Sequence, residues 1–178
     1  MADSRFTIHA SRFTLHDSIL PMSQLAPTKP RPKNAPHRFV LVASRFNSKY
    51  VDGLIQHCTK ELRALSPGTD VSLLRVPGAF EIPLAVREVA AQKTAQAIIA
   101  LGVILEGKTA HAQFLGQAVT QALQQISLEC GVPVIHAVLS LKNEAQARKR
   151  CLEHEMNRGT EAARAAFEMA GLLAKLRK

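Results

Sequence analysis

Four apolar runs mark the chain, at residues 39–43, 71–76, 95–105 and 132–139. Each is short and nearly unbroken by polar positions, which suits a strand buried on both faces of a parallel sheet. Elsewhere the apolar residues step by three and four. Val51, Leu54, Ile55, Cys58, Leu62 and Leu65 form one such stripe, Leu115, Ala118, Val119, Ala122, Leu123 and Ile126 a second, and Ala163, Phe167, Ala170 and Leu173 a third. That period predicts helices from Ser48 to the Pro67-Gly68 stop, from the turn after Lys108 to Gly131, and from Thr160 to about Leu176. Shorter helices are predicted after residues 77–83, on to about Gln92, and across Ala147 and Leu152, where residues 157–159 interrupt the pattern.

Strands alternating with helices predict an α/β three-layer sandwich, a doubly wound four-stranded parallel sheet with helices on both faces and right-handed crossovers. Ligands of such sheets collect beyond the carboxyl ends of the strands. The expected rim therefore gathers the turns at Phe46, at Ala79, Phe80 and Glu81, from Val103 to His111, and at Ser140.

The turn after the third run is the most informative of these. A strand that passes through Gly107-Lys108-Thr109 into a helix points free amides and the positive end of the helix dipole at one spot, which favours an anion such as phosphate. His111, expected one turn into that helix, stands beside it and titrates near neutrality. Gly102, Gly107, Lys108 and Thr109 also satisfy the written pattern of a nucleotide P-loop. Val103, Ile104 and Leu105 lie between the two glycines and favour extension of the strand over a loop curled around a phosphate. The anion site is retained and the nucleotide is not.

Composition narrows the field further. Residues 1–36 hold five of the nine prolines and are expected to form a flexible tail ahead of a domain at 37–178. Their Ser and Arg content would also fit an organellar transit peptide, and the bare tail is preferred. The net charge is +9, of which residues 1–38, with six Lys/Arg against two Asp, supply +4. With one Tyr and no Trp, basic and aromatic residues do not interleave, so nucleic acid is not an expected partner. No run approaches the ~18 apolar residues of a membrane span. Cys58, Cys130 and Cys151 lack disulfide or zinc spacing, so no metal is expected and a reducing, cytoplasmic setting is.

The rim thus offers an exposed aromatic at Phe46 for a flat heterocycle, a helix-start carboxylate at Glu81, strand-end backbone at Val103, Ile104 and Leu105, an anion nest at Lys108 and Thr109, and an imidazole at His111. Arg45-Phe46-Asn47, the run from Val76 to Pro83, Leu101-Gly102-Val103-Ile104 with Gly107, Thr109 and His111, Gly131-Val132-Pro133-Val134, Gln146-Ala147, Arg150 and Asn157-Arg158-Gly159 together resemble the 6,7-dimethyl-8-ribityllumazine synthase family. The resemblance runs from residue 38 to about 175 and implies a flavodoxin-like fold. It implies condensation of 5-amino-6-(D-ribitylamino)uracil with 3,4-dihydroxy-2-butanone 4-phosphate, releasing phosphate and water, in riboflavin biosynthesis. On that resemblance Phe46 stacks on the pyrimidine, and Ala79, Phe80 and Glu81 hold the ribityl chain and ring amine. Val103, Ile104 and Leu105 line the pyrimidine edge, Lys108, Thr109 and Arg150 grip the phosphate, and His111 is the general acid/base. It further implies no cofactor, and a homo-oligomer built from pentamers in which His136, Arg150 and Arg158 reach a neighbouring chain's pocket. Riboflavin synthase is implied as a partner.

Three positions depart from the family pattern. His136 stands where a Phe is usual, Lys149 replaces a common Glu beside Arg150, and residues 153–156 lack the glycines that often precede this segment. A pocket that keeps a flavin-like ligand without turnover, and a P-loop hydrolase, are the competing readings.

Overall fold

In a computed structural model, which describes residues 28–32, 37–107 and 110–177, the apolar runs become strands β1 (Arg38–Ser44), β2 (Asp70–Val76), β3 (Ala97–Leu105) and β4 (Val134–Leu141). The helices between and after them are α1 (Ser48–Leu65), α2 (Ile82–Ala91), α3 (His111–Cys130), α4 (Glu144–Cys151) and α5 (Arg158–Leu176). Lys108 and Thr109, the expected anion nest, lie outside the described residues, as does all of the expected tail except 28–32.

All strand pairs are parallel, in the order β2-β1-β3-β4. This is the order of the flavodoxin-like doubly wound sheet, whose chain reverses direction of winding between β1 and β3. One core layer packs Leu41, Ile99 and Leu101 under α1, α4 and α5; the other packs Val42, Ile98 and Ala100 under α2 and α3. β3 is buried on both faces up to Ile104, as its unbroken apolar run requires.

Val103, Ile104 and Leu105 continue the strand, so the P-loop pattern is not a loop. Its first glycine has a packing reason instead. A Cβ on Gly102 would sit 3.0 Å from Val138 Cγ1 and 3.3 Å from Ile82 Cδ1. Only a residue without a side chain lets α2 and β4 approach there.

Several boundaries differ from expectation. β4 begins at Val134 rather than residue 132, since Pro133 has no amide to give and contributes only its carbonyl, to Ile98 N at 2.8 Å. At its other end the strand stays paired with β3 as far as Leu141, so Ser140 belongs to β4 and not to the rim turn. Asn157 does not merely interrupt a helix: its side chain accepts from the Gly159 and Thr160 amides and starts α5. α3 begins at His111 itself, about a turn later than expected. Ala118, placed on the inner stripe by its period, is exposed.

Candidate active site

The β1–β3 ladder ends at Ala43 and Leu101, whereas β3 stays paired with β4 as far as Leu105 and Leu141. The divergence opens a crevice at the carboxyl end of the sheet, where a doubly wound fold places its ligand. A cavity of about 490 Å³ fills it. Phe46, Ala79, Phe80, Glu81, Val103, Ile104, Leu105 and His111 all line this cavity. Eight of the expected site residues, from three separate turns, therefore share one space.

Local structure explains how each is held. The Arg45 and Phe46 amides donate to the carbonyls of Val76 (2.8 Å) and Pro77 (3.1 Å), so the β1 turn is pinned to the β2 turn. Asn47 then adopts the left-handed conformation, φ 56° and ψ 38°, which Asn tolerates better than most residues. The reversal throws Phe46 outward with 73% of its surface exposed. Phe80 is similarly exposed, at 69%, while Ala79 is buried beneath it. Two large aromatic faces left in solvent beside one cavity are an unpartnered apolar wall.

Glu81 occupies the N-cap position of α2, with Pro83 one position inside the helix. One of its oxygens accepts from Gly78 N at 2.8 Å. This fixes the carboxylate over the β2 turn and leaves its other oxygen for a ligand. His111 is exposed at the start of α3 and lines the same cavity. The N-cap residue of that helix, Ala110, offers no side-chain acceptor, and its carbonyl takes the Gln113 and Phe114 amides.

His136, Arg150 and Arg158 do not join this cavity. They line a second one, of about 560 Å³, between the free edge of β4 and helices α4 and α5. Arg158 pairs with Glu161 there, and Gln146 lies alongside. Arg150 is half-buried, and Lys149 beside it is exposed.

His136 is more constrained than its edge position suggests. Its Nδ1 accepts from Val138 N at 3.3 Å and its Nε2 lies 2.9 Å from Thr120 Oγ1, which itself donates to the Gly116 carbonyl at 2.8 Å. Since the Val138 amide can only donate and Thr120 has spent its proton, the ring is neutral with its proton on Nε2. Desolvation by the surrounding chain lowers its pKa and favours the same form.

Two of the cysteines are held as thiols. Burial pushes the Cys151 thiol up to about 12, against a smaller downward pull from the Arg150 charge, and burial raises Cys58 further. Among the described residues no three His, Cys, Asp or Glu side chains come together to hold a metal. No described helix is long and apolar enough to cross a membrane.

Sequence reasoning missed three contributors. Asn47 lines the cavity and donates through Nδ2 to the Val103 carbonyl at 2.7 Å. Its signal was present, since an Asn directly after a strand and before a helix suits a left-handed turn residue. Leu115 supplies part of the floor. Thr120, sixteen residues from His136, had no signal at all in the linear pattern.

The family model described as 6,7-dimethyl-8-ribityllumazine synthase matches residues 36–174. A curated 6,7-dimethyl-8-ribityllumazine synthase of Halorhodospira halophila is 42% identical over 140 residues, which span 78% of this chain and 90% of the relative.

Proposed function

The chain belongs to the 6,7-dimethyl-8-ribityllumazine synthase family, and on that premise we propose that the crevice between the β1 and β3 turns is its catalytic pocket. The enzyme is a transferase of riboflavin biosynthesis that condenses 5-amino-6-(D-ribitylamino)uracil with 3,4-dihydroxy-2-butanone 4-phosphate, releasing phosphate and water. The observation that carries the assignment of the site is the convergence of eight expected residues on one cavity at the point where the sheet splits.

In this reading the pyrimidine stacks on Phe46 and its polar edge lies along the end of β3, which Val103, Ile104 and Leu105 form. Ala79, Phe80 and Glu81 receive the ribityl chain, whose hydroxyls can donate to the carboxylate oxygen that Gly78 leaves free. The amine of the pyrimidine adds to the ketone of the sugar phosphate and loses water to give an imine. Elimination of phosphate follows, the ribityl-bearing nitrogen then closes the second ring on the remaining carbonyl with loss of a second water, and each step moves a proton. His111 lies on the cavity wall and is the group that takes and returns those protons. Holding two reactants in one oriented pair removes much of the entropic barrier, so a pocket without a nucleophile suffices.

The phosphate is bound by Lys108 and Thr109 together with Arg150, whose planar guanidinium suits bidentate capture. Arg150 lines a different cavity of its own chain. The proposal is therefore that Arg150, with His136 and Arg158, serves the pocket of a neighbouring copy, in a homo-oligomer built from pentamers. Riboflavin synthase as a partner and the cytoplasm as the location belong to the same reading.

Mixed assembly tests the shared pocket. His111→Ala and Arg150→Ala chains, each poorly active, are co-refolded in equal amounts. If the two halves of a site come from different copies, about a quarter of the sites regain both native halves, and turnover returns to roughly that fraction of wild type. A mixture no more active than its components shows that each chain builds its site alone.

A further inference from the structure

Asn47 holds a position that neither the stacking role of Phe46 nor the backbone role of β3 explains. The left-handed backbone at this residue is available to glycine at no cost, so the reversal alone does not call for an amide side chain. The carboxamide is used across the crevice. With the β1–β3 ladder ended at Leu101, β3 has no strand beside its next outward-facing residue. Backbone groups in a strand alternate sides, so Val103 and Leu105 turn toward the crevice, whereas Ile104 turns to β4, with which it pairs at Ser140. Asn47 Nδ2 takes the Val103 carbonyl at 2.7 Å, as a further rung of the ladder made by a side chain.

The same residue also anchors α1, whose first amides, Tyr50 N (3.0 Å) and Val51 N (3.2 Å), donate to the Asn47 carbonyl. One residue thus joins three parts: the helix behind, the Phe46 turn beside it and the end of β3 opposite. We propose that Asn47 is a positioning residue for the heterocyclic substrate. It fixes the separation between the Phe46 face and the β3 edge, and by occupying the Val103 carbonyl it leaves the Leu105 backbone as the polar edge that a flat ring reads. The inference rests on the reading that the pyrimidine occupies this crevice.

Asn47→Gly and Asn47→Asp isolate the effect in the full chain. Both residues accept the left-handed turn, so the fold persists, while Gly removes the donor and Asp sets an acceptor against the Val103 carbonyl. The expected result is a KM for the ribitylaminopyrimidine raised about 3- to 10-fold in Asn47→Gly, the worth of one neutral hydrogen bond, and further in Asn47→Asp. The KM for the sugar phosphate and kcat stay within about twofold, a split that a general loss of structure does not produce. Equal KM values for the pyrimidine in wild type and both variants overturn the inference, as does a parallel rise for both substrates. A wild-type chain that forms no lumazine from the two substrates overturns the underlying reading instead.

Discussion

Truncating Phe46 separates binding from folding. The side chain is 73% exposed, so its removal opens no cavity and changes stability by less than about 0.5 kcal/mol. Its face is nevertheless one wall of the crevice. Stacking of a nucleobase-like ring on an aromatic side chain contributes about 1–3 kcal/mol. At about 1.4 kcal/mol per factor of ten, Phe46→Ala raises the KM for the pyrimidine roughly 5- to 150-fold. Phe39→Ala is the opposing control. That ring is fully buried in β1, remote from the crevice, and its loss costs about 3–5 kcal/mol of stability. Steady-state kinetics with each substrate varied in turn, beside thermal unfolding of both variants, read the two effects separately. An unchanged pyrimidine KM in Phe46→Ala, or a melting shift as large as that of Phe39→Ala, refutes the reasoning.

Two further predictions concern the frame. A Cβ on Gly159 would lie 3.0 Å from Leu54 Cα and closer still to its carbonyl oxygen, backbone that cannot swing aside. Gly159→Ala therefore destabilises by about 1–3 kcal/mol in denaturant titration, whereas Gly171→Ala, with nothing within 4 Å, gains about 0.5–1 kcal/mol. His136 and His57 both have pKa values lowered chiefly by desolvation. The unfolded chain then binds their protons first, so their contribution is complete above about pH 6.5 and is lost as pH falls toward the lowered folded values. The melting temperature should fall as pH is lowered from about 7 through about 6.5, and less steeply in His136→Phe; identical slopes would show that the Thr120–His136–Val138 network is not what titrates.

Much of this architecture is legible in the linear pattern because buried parallel strands and amphipathic helices leave different periods. β3 shows nine apolar or glycine positions in a row, and α1 keeps its inner face without error. Errors arose where one residue outweighed the pattern. Pro133 delays β4, and Asn157 turns an apparent break into a helix cap. The edge position of β2, with Leu73 and Leu74 each 43% exposed, is not marked by its composition. For the site, the turns at Phe46, Glu81 and His111 follow from topology alone, since doubly wound sheets bring successive strand ends together. That Arg150 lines a cavity at the β4 edge and not the crevice of its own chain is not marked in the linear pattern; only the family resemblance pointed it toward a neighbouring chain.

Turnover by His111→Ala, measured with saturating amounts of both substrates in a correctly assembled chain, bears most directly on the claim that one exposed imidazole moves the protons of this condensation. The account predicts kcat lowered about 10²- to 10⁴-fold, the range of a general acid/base, with the melting temperature unchanged because the side chain is exposed. A kcat within about threefold of wild type would contradict it.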